Sequence, residues 1–250
     1  MQKLTAIGTV GKKILVNPQE TYTKINFWLN VKESSLNRNT GEVKESITSL
    51  ACLVYVKNEN KDELVRNLKP GAAVFVVGVA RPFLQEKEGA QYPFIAVESS
   101  LVRVLSSTAL SGHCLFMDML GNIGNVRTNT EREGDVVCNF SLAHNEGYKD
   151  KQEVIWTNCS LWRAKDKCSV FNYLEKGKKV YVQGRPRASM YTTGDGSVNV
   201  SLEMNVQRLE LVSGGRSTEE TPEPELPADP APASSSGPNL PDFGANDLPF

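Results

Sequence analysis

The sequence predicts an all-β protein of two tandem five-stranded barrels followed by an acidic C-terminal tail. Three observations predict it. Several stretches alternate apolar and polar residues, the period of a half-buried strand. The cleanest runs from Val198 to Gln207, with Val198, Val200, Leu202, Met204 and Val206 on one face and Asn199, Ser201, Glu203, Asn205 and Gln207 on the other. The order strand–strand–strand–helix–strand–strand then occurs twice. After Val212 the alternation stops and composition changes.

In the first half, residues 3–16 read as a strand bent at Gly8 and Gly11. In residues 25–32, Ile25, Phe27, Leu29 and Val31 face a core, and Asn26, Trp28, Asn30 and Lys32 face away. Residues 33–46 are polar and read as a long hairpin loop around Gly41. Residues 48–57 give a third strand, Leu50, Cys52, Val54 and Val56 inward and Ala51, Leu53, Tyr55 and Lys57 outward. Leu64, Val65 and Leu68 recur at helical spacing within 59–68, with Asn58 as a cap and Pro70-Gly71 as the stop. Strands follow from Val74 towards Phe83 and over 92–105.

The second half repeats this order, with strands at 113–121, 136–144 and 154–162, a helix at 168–175, and strands at 179–187 and 198–211. Cys52-Leu53-Val54-Tyr55 overlays Cys159-Ser160-Leu161-Trp162 at an offset of 107, and Val74 to Gly78 overlays Val180 to Gly184 at an offset of 106. Near-constant spacing over several elements predicts a duplicated domain, residues 1–106 and 107–212, with 213–250 as tail. The element order is that of the OB-fold, a small Greek-key barrel whose strands 2–3 and adjoining loops bind oligonucleotides or oligosaccharides.

Net charge is −1 over 250 residues, a total that hides an asymmetry. Residues 213–250 hold one basic and seven acidic residues, whereas residues 1–212 hold 27 basic and 22 acidic ones, a net +5. The tail also has eight of the 13 prolines, which predicts disorder. Its end regains apolar residues, Asp247-Leu248-Pro249-Phe250, and reads as a peptide ligand for partner proteins. The five cysteines are scattered and only two histidines occur, which argues against a zinc site or a disulfide framework and for a reducing compartment. The N-terminus has no signal-peptide core, and the longest apolar run is too short for a membrane span. The expectation is a cytoplasmic, nucleoid-associated protein without cofactor or metal.

The stretch Glu153 to Trp162 carries the chemistry. Ile155, Thr157, Cys159 and Leu161 share the core face; Trp156, Asn158, Ser160 and Trp162 share the other, two indoles roughly 20 Å apart among small polar groups. Aromatic faces beside cations hold single strands without reading sequence. The phosphate contacts expected are Lys32, Arg38, Lys44, Lys57 and Arg81 in the first domain and Arg127, Arg132, Lys149, Arg163, Arg185 and Arg187 in the second. Gly121-Asn122-Ile123-Gly124 marks a barrel bend rather than a phosphate cradle, since no Lys-Ser/Thr follows. No nucleophile–base pair or carboxylate cluster appears, so no enzyme is read.

Residues 112–212 resemble the bacterial single-stranded DNA-binding protein family, SSB. The likeness runs through Gly121-Asn122-Ile123-Gly124, Phe140-Ser141-Leu142-Ala143, Trp156 with Trp162, Tyr173-Leu174-Glu175-Lys176-Gly177, Val180-Tyr181-Val182-Gln183-Gly184 and the Asp-Leu-Pro-Phe end. It implies that Trp156 and Trp162 stack bases, with Tyr148 and Tyr191 as further stacking positions. Residues 1–105 are similar only in outline; there Trp28, Tyr55 and Phe83 are the stackers, and Ser49 stands where Trp156 stands in the second half. The resemblance implies the two-domain type, bacterial or phage. Such members pair as homodimers so that four OB-folds serve one DNA, and the tail tip recruits replication, recombination and repair proteins. The competing reading is an RNA-binding or primosome-type adaptor whose barrels bind RNA or protein.

Overall fold

The computed structural model describes residues 1–36, 41–106, 112–127, 130–132, 134–147 and 153–212. The tail from 213 onwards, with Asp247, Leu248, Pro249 and Phe250, lies outside the described residues, as do Arg38, Tyr148, Lys149 and the side chain of Arg132.

Strands β1 (Gln2–Pro18), β2 (Tyr22–Leu36) and β3 (Val43–Lys57) lead to helix α1 (Lys61–Asn67), then β4 (Ala73–Lys87) and β5 (Ala90–Val104). Pairing runs β1–β2, β2–β3, β3–β5, β5–β4 and β4–β1, with β3–β5 parallel, which closes a barrel. The second half repeats it with β6 (Cys114–Val126), β8 (Asp135–Glu146), β9 (Glu153–Ala164), β10 (Lys179–Thr192) and β11 (Val198–Leu211), closed by β9–β11 in parallel and β6–β10. A short strand β7 (Thr130–Arg132), which sequence alternation does not announce, pairs with β8. The architecture is two tandem OB-folds.

Matched glycines tie the duplication to backbone packing. A Cβ on Gly8 would collide with the Asn30 carbonyl, and one on Gly121 with the Ala143 carbonyl. At the bulges of β4 and β10, a Cβ on Gly78 or Gly184 would strike the carbonyl of Glu98 or Asn205. Each pair is equivalent by register, so the same close strand crossing recurs and only glycine fits it.

The barrels join through an antiparallel ladder between β1 and β6, from Gln2↔Met119 to Ile7↔Cys114. Register equates Val10 with Ile123, since both face equivalent leucines, and so equates Leu4 with Met117. Leu4 pairs with Met117 itself, so a local pseudo-two-fold axis passes through that pair. Both side chains are fully buried in one apolar cluster that spans the two barrels.

Three expectations need correction. Residues 33–46 are mostly ladder rather than loop, paired from Glu33↔Ser46 to Leu36↔Val43. Two strands extending beyond the barrel need only backbone pairing, so polar residues on both faces do not forbid them. Asn58 does not cap α1: its amide donates to the Gln19 and Glu20 carbonyls and its oxygen accepts from Thr23 Oγ1. Residues 168–175 form no α-helix but a 3-10 turn, Ser169–Tyr173, with Phe171 buried. Ser, Val and Asn are mediocre helix formers, and five residues suit a short 3-10 piece.

Candidate nucleic-acid interface on the second barrel

Strand β9 divides as its alternation requires. Ile155, Thr157, Cys159 and Leu161 are buried in the barrel, and Trp156, Asn158, Ser160 and Trp162 lie on the outer face. Trp162 is 36% exposed. Trp156 is half-buried because its ring lies over Gly124 of β6, where a Cβ would stand 2.8 Å from Cη2 and closer still to Cζ3. Gly124 is therefore the seat of the ring, a site residue that the sequence presents only as a bend. A signal for it exists: Gly8-Thr9-Val10-Gly11 repeats its spacing at the equivalent place in β1.

Between the indoles the surface is polar and internally braced. Ladder pairs place Ala143, Ser141, Asn139 and Val137 of β8 beside Trp156, Asn158, Ser160 and Trp162. Ser160 Oγ donates to Asn139 Oδ1 at 2.7 Å, and Ser141 Oγ accepts from the Asn125 N–H at 2.9 Å. Asn158 registers with Glu203 of β11, and Glu203 with Arg187 of β10, so one row crosses four strands. Ser189 also donates to Glu203. Tyr191 is half-buried further along β10 opposite Asn199.

Most of the expected phosphate contacts whose side chains are described are engaged by partners within the chain. Arg187 pairs with Glu203 at 2.6 Å, Arg185 reaches Glu33 of the first barrel at 3.6 Å, and Arg81 reaches Glu153 of the second at 2.7 Å. Lys57 sits 3.8 Å from Glu59. Arg163 donates to the carbonyls of Trp162 and Gln207 at 2.8 and 3.4 Å. Arg127 is exposed at the end of β6 with no ion pair among the described residues. Lys32 is exposed, its backbone N–H donating to His113 Nδ1 at 2.9 Å, and Lys44 is exposed on β3. Pairs on a surface contribute only about 0–1 kcal/mol each, so a phosphate can replace the carboxylate at little cost.

The first barrel departs from its reading. Trp28 is 2% exposed and Phe83 7%, so neither presents a free ring face. Alternation placed Trp28 outward correctly, but an apolar patch contributed by other strands covers that face. Tyr55 is half-buried and meets Tyr22 edge-on, centroids 5.4 Å apart. Its phenol is held above the ordinary range chiefly by burial, with the Glu98 charge adding to it. Tyr181, on the outer face of β10, donates to Asp118, and that hydrogen bond raises its phenol most.

Among the described residues no three metal-ligating side chains converge, and no helix is long and apolar enough to cross a membrane.

Comparison with known proteins agrees with this fold. The family model described as "Single-strand binding protein family" matches residues 117–212. The chain is 30% identical over 155 residues to single-stranded DNA-binding protein 1 of Chlorobaculum tepidum, covering 53% of this chain and 94% of that one. It is 28% identical over 168 residues to the single-stranded DNA-binding protein of Deinococcus radiodurans, covering 60% of this chain and 55% of that one. The wild-type single-stranded DNA-binding protein of Thermus aquaticus superposes with a TM-score of 0.58 at 15% identity, over 88% of this chain and 96% of that one. A deletion variant of the Thermus protein gives 0.60 at 16% identity, over 88% and 98%. These last two speak for the fold. With a relative matched over nearly its whole length and the family's own pattern lying on the barrel that carries both outward-facing indoles, this chain belongs to the single-strand binding protein family.

Proposed function

We propose that the chain binds single-stranded DNA with little sequence preference, on the outer face of its second barrel. The observation that carries this is the pair of outward tryptophans on β9, set at either end of a braced polar floor. Any base has a π-face, so stacking on Trp156 and Trp162 accepts any sequence, while Asn158, Ser160 and Asn139 offer hydrogen bonds to sugar or phosphate. Tyr191 lies on the same face, and Tyr148 is a further stacking position by resemblance. Arg127, and Arg185, Arg187 and Arg163 once released from their present acceptors, supply phosphate contacts, with Lys149 among the sequence-assigned ones.

Titration of intrinsic tryptophan emission with oligo(dT) tests this. Quenching is expected, and Trp156→Ala or Trp162→Ala should each weaken binding by about 1–3 kcal/mol with the thermal transition retained. Wild-type affinity in both variants would refute the assignment. Equal or tighter binding of poly(U) than of poly(dT) would favour the RNA-adaptor reading instead.

The last four residues serve, in the same proposal, as a ligand for replication, recombination and repair proteins. Phe250 offers a ring to an apolar pocket, and Pro249 restricts the backbone beside it, which lowers the ordering cost on binding. Asp247 adds attraction to a basic rim. Deleting Phe250 leaves the net charge unchanged, so it should abolish capture of these partners without altering DNA affinity; retained capture would reduce the tip to a solvated end. Pairing of two chains belongs to the same proposal and is checked by sedimentation equilibrium.

A further inference from the structure

The first barrel carries the same groove as the second, and its side chains invert the chemistry. The ladders equate Trp28 with Ser141, Ala51 with Asn158, Phe83 with Ser189, Phe94 with Ser201 and Ala96 with Glu203. Where the second barrel sets hydroxyls, an amide and a carboxylate, the first sets three aromatic rings and two alanines. These five residues form an apolar cluster of their own, separate from the barrel interior, with Leu15 and Tyr92 packed against it. Every strand of the barrel contributes.

The rings are closed against one another. Trp28 meets Phe94 edge-on, centroids 4.9 Å apart at 63°, and Phe83 lies 5.9 Å from Phe94. Phe94 is 8% exposed. Edge-to-face contact uses the ring faces that a base would need. To admit a base, the cluster would have to open and return three large rings to water, which opposes binding. Ser49 moreover holds the position of Trp156, so the face lacks the indole on which the second barrel relies.

Resting on the reading that the second barrel takes single-stranded DNA by stacking, we infer that the first barrel's groove is plugged by its own side chains and takes no DNA. Trp28 is a packing residue of that plug, and each chain holds the strand on one barrel of its two.

The chain has three tryptophans, which makes the test direct. Replacing Trp156 and Trp162 together by Phe leaves Trp28 as the sole indole while keeping rings at both stacking positions. Anisotropy of a labelled oligo(dT) reports binding independently of tryptophan. The expected result is saturating anisotropy with Trp28 emission neither quenched nor shifted. If the Phe rings hold DNA too weakly to saturate, an intact thermal transition with no anisotropy rise supports the inference equally, since the unaltered first barrel then fails to bind alone. Quenching of Trp28 as anisotropy saturates would overturn the inference and leave the reading of the second barrel standing. A wild-type chain that raises no anisotropy would remove that reading, and this inference with it.

Discussion

At the residue scale, the proposed binding face depends on a hydrogen atom. Trp156 can lie flat because position 124 has no side chain, and the Cβ of any other residue would occupy the ring's place. Gly124→Ala must therefore push the indole outward or tilt it. Position 124 is half-buried near the strand end, so the barrel can keep its pairing while the ring moves. The expected outcome is a loss of oligo(dT) affinity comparable to that of Trp156→Ala, about 1–3 kcal/mol, with the tryptophan emission maximum shifted. Unchanged affinity would show that the ring's seat does not matter. Gly11 holds the equivalent place in β1, where the Cβ would stand 3.1 Å from Trp28 Cβ. The same substitution there should cost stability and leave DNA binding alone.

At the element scale, strands are legible because alternation is a local property. Residues 154–162 and 198–206 declare their faces without help from any neighbour. What stays illegible depends on what covers a face. Trp28 sits among Asn26, Asn30 and Lys32, which reads as exposed, yet Phe83 and Phe94 cover it from strands more than fifty residues away. The 3-10 turn at Ser169–Tyr173 is hidden for a related reason: its apolar spacing suits a helix, but its length and residue types do not sustain one. Equivalent strands also bury equivalent thiols. Cys52 of β3 and Cys159 of β9 are buried, and that burial pushes both thiols well above the ordinary value of 9.0. The thiolate is the reactive form, so at pH 9 these two should resist iodoacetamide until the chain is denatured. Cys168, half-exposed beside its 3-10 turn, should be modified in the native state. Mass-spectrometric mapping checks this, and native labelling of Cys52 or Cys159 would mean that the barrels open locally.

At the scale of the whole molecule, two opposed charge populations sit on one chain. The 212 residues before the tail carry a net +5, and residues 213–250 carry seven acidic groups against one basic group. Binding to a polyanion releases condensed counterions, so affinity should fall linearly in log–log form with salt, with a slope of about 0.7 per phosphate contacted on a single strand. On the proposed reading the acidic tail would compete with DNA for the same cations, Arg127 foremost, and also for Arg185 and Arg187, now paired with Glu33 and Glu203. That competition is electrostatic and reaches about 10 Å at 0.1 M salt but only about 3 Å at 1 M. Deleting residues 213–250 should therefore tighten oligo(dT) binding at low salt, steepen the salt dependence, and bring the two proteins together as salt approaches 1 M. Both should keep the same thermal transition, because no residue of either barrel is removed. A tail deletion that weakens binding at low salt would make the tail part of the DNA site rather than its competitor. The measurement is a pair of anisotropy titrations across a salt series, read as two lines whose separation closes with concentration.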